Sequence, residues 1–85
     1  SMSFSFKDEL EQLVGKVTNE ELDTVRNMVI EDLTNNGWYS RDIIMKAFEG
    51  SASSADISVV QGEILSTAVI ALRVVRRLKR NNGSY

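Results

Sequence analysis

Four arginines near the C-terminus are the residues best suited to holding a ligand. They are Arg73, Arg76, Arg77 and Arg80, called the arginine ridge below. On a helical wheel they fall within an arc of roughly 100°. Because a guanidinium group can hold a phosphate or a carboxylate with two parallel hydrogen bonds, the ridge could bind nucleic acid, a small phosphorylated ligand or an acidic protein surface. Two other interpretations stay open, namely compensation of the helix dipole and ion pairs within or between subunits.

A second candidate site lies at the centre of the chain, where Trp38 and Tyr39 precede Arg41. Exposed aromatic side chains can stack on bases or anchor a protein interface, and Arg41 would supply a phosphate contact. A single tryptophan that follows a helix is also a common core residue. The pattern therefore indicates either a binding loop or part of the core.

The chain contains no histidine and no cysteine. The usual zinc ligands, disulfides and histidine-assisted nucleophiles are therefore missing. The acidic clusters at residues 20–23 and 31–32 lack the spacing of a calcium-binding loop, and the five glycines do not form a phosphate-binding loop. We expect no catalytic residue, no metal site and no cofactor, and hence not an enzyme.

Capping patterns predict the elements that position these residues. Ser5 with Asp8 starts a first helix that runs to about Lys16, and Thr18 with Glu21 starts a second that stops before Gly37. Ser40 caps a short third helix, which Gly50 ends. Ser53 with Asp56 starts a long fourth helix that continues to Arg80. The second and third helices have the order of a helix-turn-helix, but the third offers too few cations for a DNA groove.

The long fourth helix has the strongest apolar pattern in the chain, and the predicted fold is built around it. A stripe within an arc of roughly 80° consists of Ile57, Val60, Ile64, Ala68, Ala71, Val75 and Leu78. Between Ala68 and Val75 the other faces are apolar too, apart from Arg73, and a helix apolar all round is normally buried all round. An alternative with strands and a Gln61-Gly62 turn would suit the Val and Ile content, but the spacing of three and four persists over six turns and strands rarely run so long. The apolar run is shorter than the roughly 20 residues of a membrane span.

Self-association would bury the apolar faces of the fourth helix that so short a chain cannot bury by itself. The predicted surface is a row of small and medium residues opposite the stripe, namely Val59, Gly62, Ser66 and Val69. Glycine inside a helix costs ~1 kcal/mol relative to alanine, and close approach of another helix would explain it. The sequence thus predicts a homo-oligomer assembled through the fourth helix.

Charge is unevenly distributed along the chain, although its net value is only −2. Residues 1–50 carry five basic and ten acidic side chains, and residues 51–85 carry five basic and two acidic ones. Acidic helices are therefore expected to meet a basic helix end, within one subunit or between two.

Together these patterns predict an all-α fold, a small bundle of three shorter helices and one long C-terminal helix that oligomerisation completes. We expect one domain over residues 1–80 and a disordered tail over 81–85. The expected function is that of a small cytoplasmic protein-interaction module, an adaptor or inhibitor of a larger, unidentified protein, since no signal peptide or membrane segment is apparent. The alternative is capture of nucleic acid or a nucleotide-like ligand by the arginine ridge where subunits meet.

Overall fold

A computed structural model describes residues 4–36, 38–50 and 55–82. These residues form four helices and no strand: α1 (Phe6–Val14), α2 (Asn19–Asn35), α3 (Arg41–Glu49) and α4 (Ala55–Asn82). The predicted all-α architecture, with three shorter helices and one long C-terminal helix, is confirmed.

Three of the predicted helix starts have the expected caps. The Ser5 hydroxyl accepts from the Asp8 amide at 3.3 Å, and the Ser40 hydroxyl accepts from the Ile43 amide at 3.3 Å. At the start of α2 the pairing is reciprocal, since Thr18 Oγ1 accepts from the Glu21 amide at 3.1 Å and Glu21 Oε1 accepts from the Thr18 amide at 3.0 Å. Each cap satisfies amides that a helix start leaves unpaired. The fourth predicted cap, at Ser53, lies outside the described residues.

The helix ends differ from the prediction in two details. Gly15 and Gly50 end α1 and α3 with a positive φ of 85°, as glycine allows. The first helix ends at Val14 rather than near Lys16, whereas α2 ends before Gly37 as predicted, with Asn36 at a right-handed φ of −73°. The last helix continues to Asn82, two residues into the segment that we expected to be tail.

The core lies along one side of α4, which packs against each of the other three helices. Val60, Ile64 and Ala68 on the predicted stripe are buried, whereas Leu78 at its end is 58% exposed. The Cα trace extends over 48 × 29 × 16 Å, and its smallest dimension leaves room for little more than one helix on top of another, at a separation of about 8–10 Å. One side of α4 therefore faces solvent.

Contacts from all three shorter helices support this arrangement. The Phe6 and Phe48 rings meet edge to face with centroids 5.0 Å apart, and the Arg26 guanidinium lies 5.7 Å from the centroid of each ring. Gln61, buried on α4, donates from Nε2 to the Ala47 carbonyl oxygen at 3.2 Å. That hydrogen bond joins α4 to the end of α3 and satisfies the buried amide group of Gln61.

Candidate functional site

The arginine ridge is divided by the structure, because Arg76 is already bound within the chain. Its Nε donates to Glu21 Oε2 at 3.0 Å, and its Nη2 donates to Glu21 Oε1 at 3.3 Å and to the Lys16 carbonyl oxygen at 2.9 Å. The Glu21 side chain also accepts from the Thr18 amide. One residue thus caps the start of α2 and fixes the C-terminal half of α4 against it.

The charges of this pair stabilise each other. The hydrogen bond from the Arg76 guanidinium, followed by that from the Thr18 amide, lowers the pKa of Glu21 to about 2, although burial opposes the change. The hydrogen bond to Glu21 raises the pKa of Arg76 above its usual value. Both groups are therefore ionised throughout the neutral range. The expected meeting of an acidic helix with the basic end of α4 occurs here within one subunit.

The other members of the ridge, Arg73, Arg77 and Arg80, are exposed on α4. A nearby depression of about 150 Å³ is lined instead by Glu20, Glu21, Thr24, Val75 and Lys79. Two carboxylates in so small a cavity disfavour an anion there. What remains of the ridge is an open basic edge of three arginines.

Trp38 and Tyr39 have different environments. The Trp38 side chain is 81% exposed on the connection between α2 and α3, whereas Tyr39 is half-buried and packs against the core. Arg41 is exposed and lines a depression of about 420 Å³ together with Asn27, Ile30, Glu31, Thr34 and Asn35. The interpretation of Trp38 as a core residue is therefore wrong. Its exposure leaves a large aromatic surface available to a partner.

The predicted self-association row is only partly open. Val59 is 58% exposed, a Cβ added at Gly62 would meet nothing, and the Ser66 hydroxyl donates to the Gly62 carbonyl oxygen at 3.1 Å. Val69, in contrast, is half-buried against the core. The covered arc of α4 thus extends further round the helix than the sequence indicated.

Two further uncovered apolar side chains on α4 lie to one side of that row. Ile70 is 63% exposed and Val74 is 44% exposed. Both border a groove of about 410 Å³ between α2 and α4, whose other lining residues are Met28, Glu31, Asp32, Asn35, Thr67 and Ala71. The sequence marks Ile70 and Val74 as apolar and off the main stripe, but periodicity alone does not say which of the two flanks the shorter helices cover.

By length and composition alone, α4 could cross a membrane over Asp56–Asn82, and 33% of its most apolar stretch is buried. A helix that forms the core of a soluble protein satisfies the same criterion. Val60, Ile64, Ala68 and Leu72 are almost fully covered by the other helices, so a core role accounts for part of the apolar composition of α4.

No family model, no curated protein and no solved structure matches this chain. Among the described residues there is also no group of three acidic side chains placed to hold a metal ion. The candidate surfaces are therefore the Trp38 connection, the basic edge and the uncovered side of α4.

Proposed function

We propose that the chain is a small cytoplasmic protein-interaction module, an adaptor or inhibitor of a larger protein, which works as a homo-oligomer. The observation that carries the proposal is the Trp38 side chain, 81% of which is exposed. Tryptophan is enriched among the residues that dominate binding energies, because it buries a large rigid surface with few rotatable bonds. The proposal includes no catalytic step and no cofactor.

The surroundings of Trp38 suit an anchor of this kind. Its neighbour Tyr39 packs against the core, and Arg41 begins α3 two residues further along the chain. A residue next to a packed neighbour loses less entropy on binding than one far from the core. The uncovered apolar side of α4 supports the second part of the proposal, assembly with further copies.

Substitution of Trp38 tests the contact surface. Immobilised wild-type protein, W38A and L13A would be compared for the proteins that each retains from a cell extract. Leu13 is the matched control, since it is a large apolar residue, 61% exposed, on α1. We expect one partner to bind wild type and L13A, to be lost with W38A, and to change little between low and high salt. Equal retention by all three proteins would reject Trp38 as the anchor.

A second candidate function is capture of nucleic acid or a small phosphorylated ligand by the basic edge. It is favoured by the exposure of Arg73, Arg77 and Arg80 on one end of α4. The test compares R73A/R80A with the control K46A in titrations with single-stranded oligonucleotides and nucleotides over a range of salt. Phosphate capture would weaken with salt and disappear in the double variant alone. Binding that is absent in wild type, or unchanged in R73A/R80A, would reject this function.

A further inference from the structure

A second stripe follows the uncovered side of α4. It is called the outer stripe here and consists of Val59, Glu63, Ser66, Ile70, Val74 and Arg77. These residues fall within an arc of roughly 80° on the helical wheel. All six are exposed by more than a third, and the groove of about 410 Å³ runs beside Ile70 and Val74. The stripe is an apolar strip with one acid near one end and one base near the other.

The order of residues in the outer stripe is symmetric about Ile70. Ser66 and Val74 stand four residues before and after it, and Glu63 and Arg77 stand seven residues before and after it. A helix that pairs antiparallel with a copy of itself about Ile70 would therefore place each small residue opposite a larger one and each acid opposite a base.

We propose that the outer stripe is the docking surface for a second copy of this chain, with the two α4 helices antiparallel across a two-fold axis at Ile70. The inference rests on the proposed homo-oligomeric assembly and specifies its geometry. Ile70 meets Ile70 of the second copy, Ser66 meets Val74, and Glu63 pairs with Arg77. Each contact away from the axis occurs twice, as two-fold symmetry requires.

Charge selects this orientation over a parallel one. In a parallel pair in register, Glu63 would face Glu63 and Arg77 would face Arg77, and like charges across an interface oppose association. Within one chain Glu63 and Arg77 lie roughly 21 Å apart along the helix, at ~1.5 Å per residue, so they cannot pair with each other. Neither takes part in a salt bridge in the described part of the chain.

The shape of the surface supports the same arrangement. Ser66 is small enough to let the facing helix approach, and the groove between α2 and α4 offers a place for the Val74 side chain of the second copy. Burial of Ile70, Val74 and their symmetry mates would cover the apolar flank that α1, α2 and α3 leave open. The result is a helix surrounded by apolar contacts along its most apolar stretch.

Single-cysteine variants test which residues of the two α4 helices lie close together. Because the chain has no native cysteine, any disulfide must form between the introduced residues. With helix axes about 8–10 Å apart, the two Ile70 Cα atoms come close enough for a disulfide. I70C is therefore expected to form a covalent dimer under mild oxidation. V59C is the control, because it lies on the same stripe with 58% exposure, yet its two copies would be roughly 33 Å apart along the antiparallel axis. A parallel pair would cross-link both variants.

A charge exchange tests the same register without cysteine. R77E places an acid opposite Glu63 at each end, so we expect the dimer dissociation constant to rise roughly tenfold or more. The double variant E63R/R77E restores both pairs with reversed sign and should recover association. Helicity measured by circular dichroism should be unchanged in both, because the two side chains are exposed.

The outcomes separate this inference from the proposed function. If I70C cross-links and V59C does not, and if E63R/R77E recovers the association lost in R77E, the antiparallel dimer is supported whatever Trp38 binds. An oligomer in which I70C does not cross-link, or in which the charge exchange fails to rescue R77E, overturns the register but leaves assembly intact. A wild-type protein that stays monomeric overturns the dimer, while the W38A experiment still decides partner binding.

Discussion

The Glu21–Arg76 pair allows a quantitative prediction about stability and pH. E21Q removes the Glu21 charge and replaces one of the two acceptor oxygens with an amide NH2 donor, so at least one hydrogen bond from the guanidinium is lost and Arg76 lies beside a neutral amide. A change of one pKa unit corresponds to ~1.4 kcal/mol, so the lowering from 4.5 to about 2 sets a ceiling of ~3 kcal/mol. Because the Arg76 side chain is 39% exposed, solvent screening reduces the expected loss to about 1–2 kcal/mol.

The sign of the pH dependence follows from the direction of the pKa change. A carboxyl whose pKa is lower in the folded state stabilises the fold above its unfolded pKa and loses that effect as pH falls towards the folded value. The difference in the free energy of unfolding between wild type and E21Q should therefore be full at pH 6–7. It should shrink between about pH 5 and pH 2.

Urea unfolding followed by circular dichroism at several pH values measures this difference. E20Q is the matched control, since Glu20 is exposed in the same helical turn, and it should stay within about 0.5 kcal/mol of wild type. Equal stability of wild type and E21Q at pH 7, or a difference that does not change down to pH 2, would refute the assigned role of the ion pair.

Other substitutions test the backbone and the core in the same unfolding experiment. G50A should lower stability by about 1–3 kcal/mol, because φ is 85° and the added Cβ would lie 2.5 Å from the Phe4 carbonyl oxygen. G62A should raise it by up to ~1 kcal/mol, since the site is helical and open, and a loss would contradict that description. Q61L should cost about 0.5–1.5 kcal/mol by removing the hydrogen bond to the Ala47 carbonyl, which keeps its bond from the Gly50 amide, and a gain in stability would contradict that contact. I44A should cost about 2–5 kcal/mol, because Ile44 is fully buried, and a loss below 1 kcal/mol would argue against its place in the core.

Local patterns were sufficient for the helices but not for their contacts. Thr18, Ser40 and Gly50 act on amides and carbonyls a few residues away, so their role follows from spacing alone. The division of the arginine ridge does not, because Arg76 meets Glu21 across 55 positions of sequence. The uneven charge along the chain predicted such a meeting without identifying the pair.

The faces of α4 show a second property that the sequence alone does not determine. The apolar stripe through Val60, Ile64 and Ala68 was correctly identified as core, since its period is that of a helix. Whether Val69 or Ile70 stays uncovered depends on where the shorter helices pack round α4, which is a tertiary property. Trp38 presents the same difficulty, because aromatic residues suit a core and an interface equally well.

The native mass of the purified protein, measured by light scattering over a range of concentrations, tests the assembly through α4 most directly. The single chain has a mass of 9.5 kDa. An antiparallel pair through the outer stripe predicts twice that mass, with dissociation towards the monomer in R77E. A mass that stays at the value of one chain at every concentration would contradict the assembly.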